Sequence, residues 1–293
     1  MAVDESPAPS TRTTVVIATR NRREQLERTL DRLGELPERP AIVVVDNGST
    51  DGTVAAVRSR PEPVRVVGLA DNRGGAARNV GVELARTPYV AFSDDDSWWE
   101  PGALAHAERL LDADARIALL AARVLVGAER RLDPTCATMA ASPLAADARL
   151  PGPRVLGFLA CGAIVRRAAF LAVGGFHARL GVGGEEELLA VDLAAAGYEL
   201  VYADEVVAHH QPDGRRRPGR ARNSVRNELL VAWLRRPPRS ALRRTGTLLA
   251  SRGRDRQAAL GAIDALRAVP WVLRERRPVG ARLERGLRAL EGT

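Results

Sequence analysis

The sequence predicts an α/β fold, a mostly parallel sheet with helices on both faces, followed by a helical C-terminal extension. Three observations predict it. Over the first hundred residues, short β-branched runs alternate with stretches of helical spacing. Polar residues collect at the ends of three of those runs. The last part of the chain is rich in Arg and Leu and reads as helix interrupted at prolines.

TTVVIAT, residues 13–19, is a β-branched run suited to a buried parallel strand. NRREQLERTLDRLGEL follows, with Leu26, Leu30 and Leu33 on one helical stripe. AIVVVDNGSTDGT is a second buried strand running into a polar turn. TVAAVRSR reads as a short helix, VRVVGLA as a third strand and GGAARNVGVELAR as another helix. YVAFSDDD is a fourth strand that ends in acids. Strand and helix alternating at such short intervals argue for a parallel sheet. In such sheets ligands bind beyond the carboxyl ends of the strands. Thr19 to Asn21, Asp46 to Asp51 and Asp94 to Asp96 all fall there.

PGALAHAERLLDAD is helical, and residues 117–160 are less regular, read as strands and a loop. CGAIVRRAAFLAVGGF reads as strand, helix and a Gly-Gly turn. EEELLAVDLAAAGY is a helix with a glycine stop, and ELVYADEVVAHH is a strand pair or one bent strand. QPDGRRRPGRAR is a basic loop. The remainder is helical, with breaks at Pro237, Pro238, Pro270 and Pro278 and no internal repeat.

The chain has 293 residues, 45% hydrophobic and 27% charged, which suits a globular protein with a core. Aromatics are only 4%, so that core must come mainly from Ala, Val and Leu. Every one of the 44 basic residues is Arg, the side chain that grips phosphate in a bidentate manner. The net charge of +8 is uneven, with +14 on residues 211–293 and −6 on the rest. A basic tail points to an anionic partner such as phospholipid headgroups, a phosphorylated acceptor or nucleic acid; solvated arginine on exposed helix faces is the alternative. Cys136 and Cys161 lie outside any metal-ligand spacing and fit a reducing cytoplasm. MAVDESPAPSTR carries acids and no apolar stretch, so it does not read as a signal peptide. No apolar run of about 18 residues is present to span a membrane. The expected location is the cytoplasm, with peripheral contact at the inner face of the membrane left open.

Three consecutive carboxylates at Asp94-Asp95-Asp96 repel one another, and a hard divalent cation offsets that repulsion. Mg²⁺ and Mn²⁺ take oxygen ligands, and Mg²⁺ is usually held by one or two carboxylates plus substrate phosphates. In an extended Asp-x-Asp the side chains alternate, leaving one outer Asp for the metal and the other for sugar or ribose. An acidic turn or helix cap before SWWEPGAL is the alternative. Asp46, closing a buried strand ahead of the tight Asn47-Gly48 turn, is placed to accept hydrogen bonds from a nucleobase or ribose; the alternative is a plain turn whose Ser or Thr caps the next helix. In DNRGGAARN, Gly74 and Gly75 permit close backbone approach, the helix N-terminus suits an anion and Arg78 lies one turn in. Plain helix entry explains the same residues. An exposed Trp98 or Trp99 would stack on a sugar, and a buried one would be core. His106, His177 and His210 have no legible partner and read as exposed or satisfied.

TTVVIATRNR, VVVDNGSTDGT, DNRGGAARN and VAFSDDDSWWEP, in that order and spacing, resemble the family 2 glycosyltransferases of the GT-A fold. The likeness continues through FLAVGGF and GGEEELLAVDLAAAGYELVYADEVVAHH, and covers about residues 13–210. The resemblance implies a Rossmann-like GT-A sheet and inverting transfer from a nucleoside-diphosphate sugar to an acceptor hydroxyl, with Mg²⁺ or Mn²⁺. It implies that Thr19, Arg20 and Asn21 form the strand-1 donor turn. It puts Asp46 on the base, and Asp71, Arg73 and Gly74 on the nucleoside. It makes Asp94 and Asp96 the outer acids of the metal motif, with Asp96 as the direct ligand, Asp95 within the same donor-binding turn and His209 completing the metal or diphosphate site. The family's base is the second acid of a Glu-Asp pair. Here the match is Glu186, within Glu185-Glu186-Glu187, a run that also suits the first turn of a helix. One carboxylate must take the proton of the attacking hydroxyl, and no covalent intermediate is needed. The metal, with Arg73 or Arg78, would stabilise the departing diphosphate.

The expected organisation is then an unstructured lead at 1–12, a GT-A catalytic domain at 13–210 and a basic helical extension at 211–293. The catalytic domain divides into a nucleotide-binding half, 13–100, and an acceptor and catalytic half, 101–210. In the extension, SVRNELLVAWLRRPPRSALRRTGTLLA alternates apolar and Arg positions. That pattern suits a bundle packed on the catalytic domain, or an amphipathic helix on an anionic membrane near a lipid-linked acceptor. Polysaccharide and small-molecule acceptors stay equally open. A catalytically silent sugar-nucleotide-binding protein is opposed by the intact Asp94, Asp96, Glu186 and His209. Specific nucleic-acid binding by the tail is opposed by its lack of interleaved aromatics or a reading motif. A nucleotidyltransferase would want a phosphate-cradling glycine loop near strand 1, and TRNRRE has none.

Overall fold

The computed structural model describes residues 11–214, 219–252 and 255–291. Most of the expected lead, 1–10, and residues 215–218 of the basic loop lie outside the described residues. Thr11 and Arg12 are anchored instead: Thr11 donates to Glu108, and Arg12 pairs with Asp112 at 2.9 Å.

The chain runs β1 (Thr13–Thr19), α1 (Arg23–Gly34), β2 (Ala41–Asp46), α2 (Thr53–Arg58), β3 (Val64–Gly68), α3 (Ala77–Leu84) and β4 (Tyr89–Asp94). Strands β3-β2-β1-β4 lie side by side and parallel. Val15 to Ile17, Val43 to Val45 and Val90 to Phe92 are buried, as continuous β-branched and apolar runs require when both faces of a sheet are covered. Thr19 lies opposite Asp46, Asp46 opposite Gly68, and Ala18 opposite Asp94, so the four strands end on one rim. α1 covers one face through Leu26, Leu30 and Leu33, the stripe predicted from their spacing.

The second half makes the sheet mixed. It runs β5 (Ser97–Trp99), α4 (Ala103–Ala113), β6 (Ile117–Val126), β7 (Arg131–Leu132), α5 (Pro134–Ala140), β8 (Ala163–Arg166), α6 (Arg167–Ala172), α7 (Glu185–Ala195) and β9 (Glu199–His210). The sheet continues from β4 in the order β8-β6-β9-β5, with β7 paired to β6. β8 is antiparallel to both β4 and β6, whereas β9 runs parallel to β6. β9 is one bent strand: its pairing with β6 jumps from Ala122–Ala203 to Arg123–Val207. That bulge re-aims the last residues of β9 so that β5 pairs along them.

The tail folds as α8 (Arg220–Arg235), α9 (Pro238–Arg252), α10 (Arg256–Arg267), α11 (Val269–Glu275) and α12 (Ala281–Leu290). Pro238 and Pro270 stand in first turns, where proline is tolerated. Val225, Leu229, Leu230 and Leu234 of α8 form an apolar cluster with Leu188 of α7 and with Ala258, Ala265 and Trp271. Asn227, fully buried, donates to the carbonyl of Leu180 at 2.8 Å in the loop before α7. The described tail is therefore a bundle docked on the sheet domain. Many of its arginines are paired: Arg235 with Asp192, Arg222 with Asp264, and Arg252 with Glu228.

Arg236 locks α12 to the bundle. Its Nε and Nη2 donate to Glu284 at 2.6 and 2.9 Å, and its Nη1 donates to Glu291 at 2.6 Å. Burial alone would raise the Glu284 carboxyl, but hydrogen bonds from Arg236, Ser240 and Arg288 outweigh it and hold it at about 2. A depressed carboxylate stabilises the fold fully above its unfolded value of about 4.3, and that contribution fades as pH falls towards the folded value. We predict that α12 loosens between about pH 4 and pH 2. A pH series of thermal melts on the parent and on Glu284→Gln checks this: the variant should be less stable at neutral pH and should lose less than the parent across that window.

Candidate active site

The acid turn follows β4, and its side chains divide in direction. Asp95 turns inward and is buried. Its Oδ2 accepts from Thr19 Oγ1 at 2.8 Å, and its backbone carbonyl accepts from Thr29 Oγ1 at 2.9 Å. Arg22, at the N-cap of α1, reaches across the turn. Its Nε donates to Asp95 at 2.6 Å, its Nη2 to Asp96 at 2.6 Å and its Nη1 to Asp213 at 2.7 Å. Burial pushes the Asp95 carboxyl up to about 7 against the pull of Arg22. Asp94 pairs with Arg78, a nearly buried guanidinium on α3 that also lies over the Phe176 ring.

The end of β9 joins this turn through β5. Ser97 pairs with His210 and Trp98 with His209. Adjacent strand residues point to opposite faces, so the two histidines part company. His210 Nε2 lies 3.4 Å from Asp96 Oδ1. Burial would lower the His210 pKa, but the hydrogen bond to Asp96 and the charges of Asp96 and Asp94 raise it overall. His209 instead bonds Glu100 and stacks on Trp98, with ring centroids 5.4 Å apart. Strand register puts His210 beside Asp96, while the His209 ring turns to Glu100 and Trp98. Trp99 is core, and Trp98 is half-buried against His209 rather than free to stack on a ligand.

The other strand ends complete the rim. Asp46 is buried, and both its oxygens accept from Ser49, so its carboxylate holds its own turn. Asn21, at φ 52°, accepts from Thr50 N at 2.8 Å and ties the first turn to the second. Arg20 is exposed beside it. Asp71 and Arg73 are exposed and 3.6 Å apart. Gly74 has φ 57°, and a Cβ there would lie 2.7 Å from the Gly181 backbone. Gly75 N donates to Gly181 O at 2.7 Å. These two glycines let the start of α3 abut the loop that leads into α7, which brings the Glu185 to Glu187 turn to the rim.

Within that turn the three acids differ. Glu185 is buried against Gly75, with one oxygen lacking a partner among the described residues. Glu186 Oε1 accepts from Ala160 N at 2.9 Å. Burial and the neighbouring charge of Glu185 push the Glu186 carboxyl up to about 7, despite Ala160 and Arg78. Asp94 adds to that push. Beyond Glu186, away from the acid turn, opens a cavity of about 440 Å³. A carboxyl that titrates near neutrality, between the acid rim and a cavity, is equipped to exchange a proton with whatever occupies that cavity.

Among the described residues, no group of three or more His, Cys, Asp or Glu side chains converges as a metal cage. Asp96 and His210 instead offer a partial donor set, of the kind completed by substrate phosphates when Mg²⁺ binds. Arg22, Thr29, His210 and Asp213 are site residues that motif reading missed. Only Arg22 left a signal, as a cation directly after Asn21 facing an acid cluster that needs compensation.

The family profile described as Glycosyl transferase family 2 matches residues 14–174. The chain is a family 2 glycosyltransferase. The glycosyltransferase is 30% identical over 234 residues to the N-acetylglucosaminyl-diphospho-decaprenol L-rhamnosyltransferase of Mycobacterium tuberculosis, covering 67% of this chain and 75% of that one. It is 36% identical over 122 residues to the succinoglycan biosynthesis protein ExoO of Rhizobium meliloti, covering 40% of this chain and 34% of that one. Against several curated relatives the match spans about a third of their length or less. Its fold is that of the mannosyltransferase PcManGT from Pyrobaculum calidifontis, solved with GDP-Man and Mn²⁺, at TM-score 0.62 and 22% identity over 100% of this chain and 90% of that one. The sheet of the glycosyltransferase is thus the GT-A sheet.

Replacing Arg22 strands three carboxylates. We predict that Arg22→Leu lowers stability by about 3 kcal/mol, the scale of a partly buried ion pair that loses one partner, as measured by urea denaturation. Arg22→Lys should recover only part of this, because a point charge cannot serve three acids in one plane.

Proposed function

We propose that this glycosyltransferase moves a sugar from a nucleoside-diphosphate sugar to an acceptor hydroxyl by a single inverting displacement, with Glu186 as the base. One observation carries the reading: Glu186 is braced by Ala160, has its pKa raised to about 7, and stands between the acid rim and the cavity. The acceptor oxygen attacks the anomeric carbon while the carbon–oxygen bond to the diphosphate breaks. The acceptor proton passes to Glu186, and the bonding pair leaves with the nucleoside diphosphate. Arg78, beside Asp94, is positioned to take up the negative charge that develops on the diphosphate.

The donor rim in this proposal comprises Thr19, Arg20, Asn21, Asp46, Asp71, Arg73, Gly74, Asp94 and Asp95. Because Ser49 engages the Asp46 carboxylate, base recognition there would require that turn to open or the contact to be shared. Asp96 and His210 would hold Mg²⁺ or Mn²⁺ together with the donor diphosphate, and the bound ion would supply Lewis-acid stabilisation of the leaving group. The GDP-Man and Mn²⁺ in the Pyrobaculum enzyme support this reading of the rim. The silent-binder alternative is disfavoured by a carboxyl poised near neutral pH with a cavity before it.

A second reading concerns the tail. Leu242, Leu266 and Leu273 are 73, 61 and 70% exposed on α9, α10 and α11. Arg239, Arg267 and Arg274 lie within three residues of them. Exposed leucine beside arginine suits peripheral contact with an anionic membrane. The acceptor of the Mycobacterium relative is lipid-linked, which is compatible with such a contact.

A panel of UDP, GDP and dTDP sugars with Mg²⁺ or Mn²⁺, read as nucleoside-diphosphate release, tests the first reading; no release and no thermal shift by any nucleotide would overturn it. Glu186→Gln should keep the nucleotide thermal shift yet lose at least about a hundredfold in transfer. In the parent, kcat/KM should climb with pH through about 7, as the base ionises, and then level off. Asp96→Ala and His210→Ala should weaken metal-dependent donor binding, whereas His209→Ala should not. For the tail, flotation with anionic liposomes at low salt is expected, and failure to float removes the membrane contact.

A further inference from the structure

The cavity beyond Glu186 has a wall that the GT-A sheet does not supply. Ser224 and Glu228 of α8, Arg244 of α9 and Leu287 of α12 close it, opposite Phe158 and Glu187. Its volume of about 440 Å³ is that of a small-ligand pocket. Its lining is mixed: Phe158, Leu156 and Leu287 offer flat apolar contact, and Thr135, Ser142 and Ser224 offer hydroxyls. That combination fits a compact ring with polar edges.

The charge around the cavity is more specific than its shape. Glu186, Glu187, Glu228 and Glu291 face it against two arginines, Arg236 and Arg244. Arg236 is already committed, with its three nitrogens bound to Glu284 and Glu291. Glu228 is served by Arg252 at 2.8 Å and Ser224 at 3.0 Å, with Arg244 at 3.6 Å. The Glu187 carboxyl makes no hydrogen bond among the described residues. Burial raises its pKa, and the nearby Glu228 and Glu291 push the same way, against Arg244 and Arg236. Glu228 and Glu291 are thus matched by arginines, Glu291 also by Arg243, and the carboxyl left facing the cavity beside the base with unfilled hydrogen-bond capacity is Glu187. A cationic donor entering here would fill that capacity with a charge-assisted hydrogen bond.

Resting on the glycosyltransferase reading above, we propose that this cavity is the acceptor subsite and that it selects a small sugar-like polyol carrying a protonated amine. Glu187 receives the ammonium, while the reacting hydroxyl points to Glu186. The tail helices thereby determine which acceptor is admitted.

Binding can be measured without donor or turnover. Glucosamine, glucose and glucose 6-phosphate serve as cationic, neutral and anionic probes of equal ring size, with affinities compared by saturation-transfer NMR on the full chain. Glucosamine should bind about tenfold more tightly than glucose, the scale of one charge-assisted hydrogen bond, with glucose 6-phosphate weakest. Glu187→Gln, which keeps the side-chain shape, should erase that preference while leaving the thermal shift by nucleotides in place. Gly157 lines the cavity with open space around its Cα, so Gly157→Leu should reduce binding of all three probes with the fold intact. Equal binding of the sugars, preference for the phosphate, or a preference that survives Glu187→Gln would each overturn the proposal. A chain that transfers sugar but ignores the amine defeats this inference alone. A chain that binds glucosamine through Glu187 but releases no nucleotide from any donor defeats the catalytic reading alone.

Discussion

Asp94, Asp95 and Asp96 put three negative charges on one turn, and the surrounding structure is arranged to offset their repulsion. Asp95 is turned inward, where Thr19, Thr29 and Arg22 anchor it. Asp94 and Asp96 are left at the rim, one on Arg78 and the other between Arg22 and His210. The partners come from four elements: β1, α1 with its N-cap, α3 and β9. The acid turn therefore ties the carboxyl ends of the parallel strands to the end of β9, beyond the direct pairing of β4 with β8. With its third arm on Asp213, Arg22 also fastens the segment after β9 to the first helix.

The same economy of space governs Glu186. It reaches the rim only because Gly74 and Gly75 let α3 approach the loop before α7, where side chains would collide with the Gly181 backbone and with Glu185. Once there, it is desolvated beside another acid, and a carboxyl that would ordinarily be ionised at neutral pH is held near its midpoint. A general base needs that compromise between being charged and being basic.

The strands β1 to β4 were legible because their β-branched runs are uniform and their helices have a clear stripe. Residues 117–160 were legible only as unplaced strands and a loop: β6 lies there as a strand, but the short helix α5 has too few residues to show a period. β5 was missed for another reason: three residues, Ser97 to Trp99, become a strand only by pairing with the end of β9. At the site, the acids themselves could be read, but their partners could not. Arg22 finds Asp95 across 73 residues of sequence, and the choice between His209 and His210 is made by pleat and register, which no motif states. Asp46 was legible as the acid that closes β2, but its hold on Ser49 was not.

The rim acids and the cavity wall come from different stretches of chain. The acids and their strand-end neighbours lie mostly before residue 100, whereas the wall beyond Glu186 draws on residues 224–291. α8 meets the sheet domain chiefly through α7, and α12 is held by the Arg236 pair and a small apolar cluster. Substitutions on those helices can thus reshape one side of Glu186 without disturbing the other. In descent or in engineering, the two halves of the reaction's specificity are free to drift at separate rates.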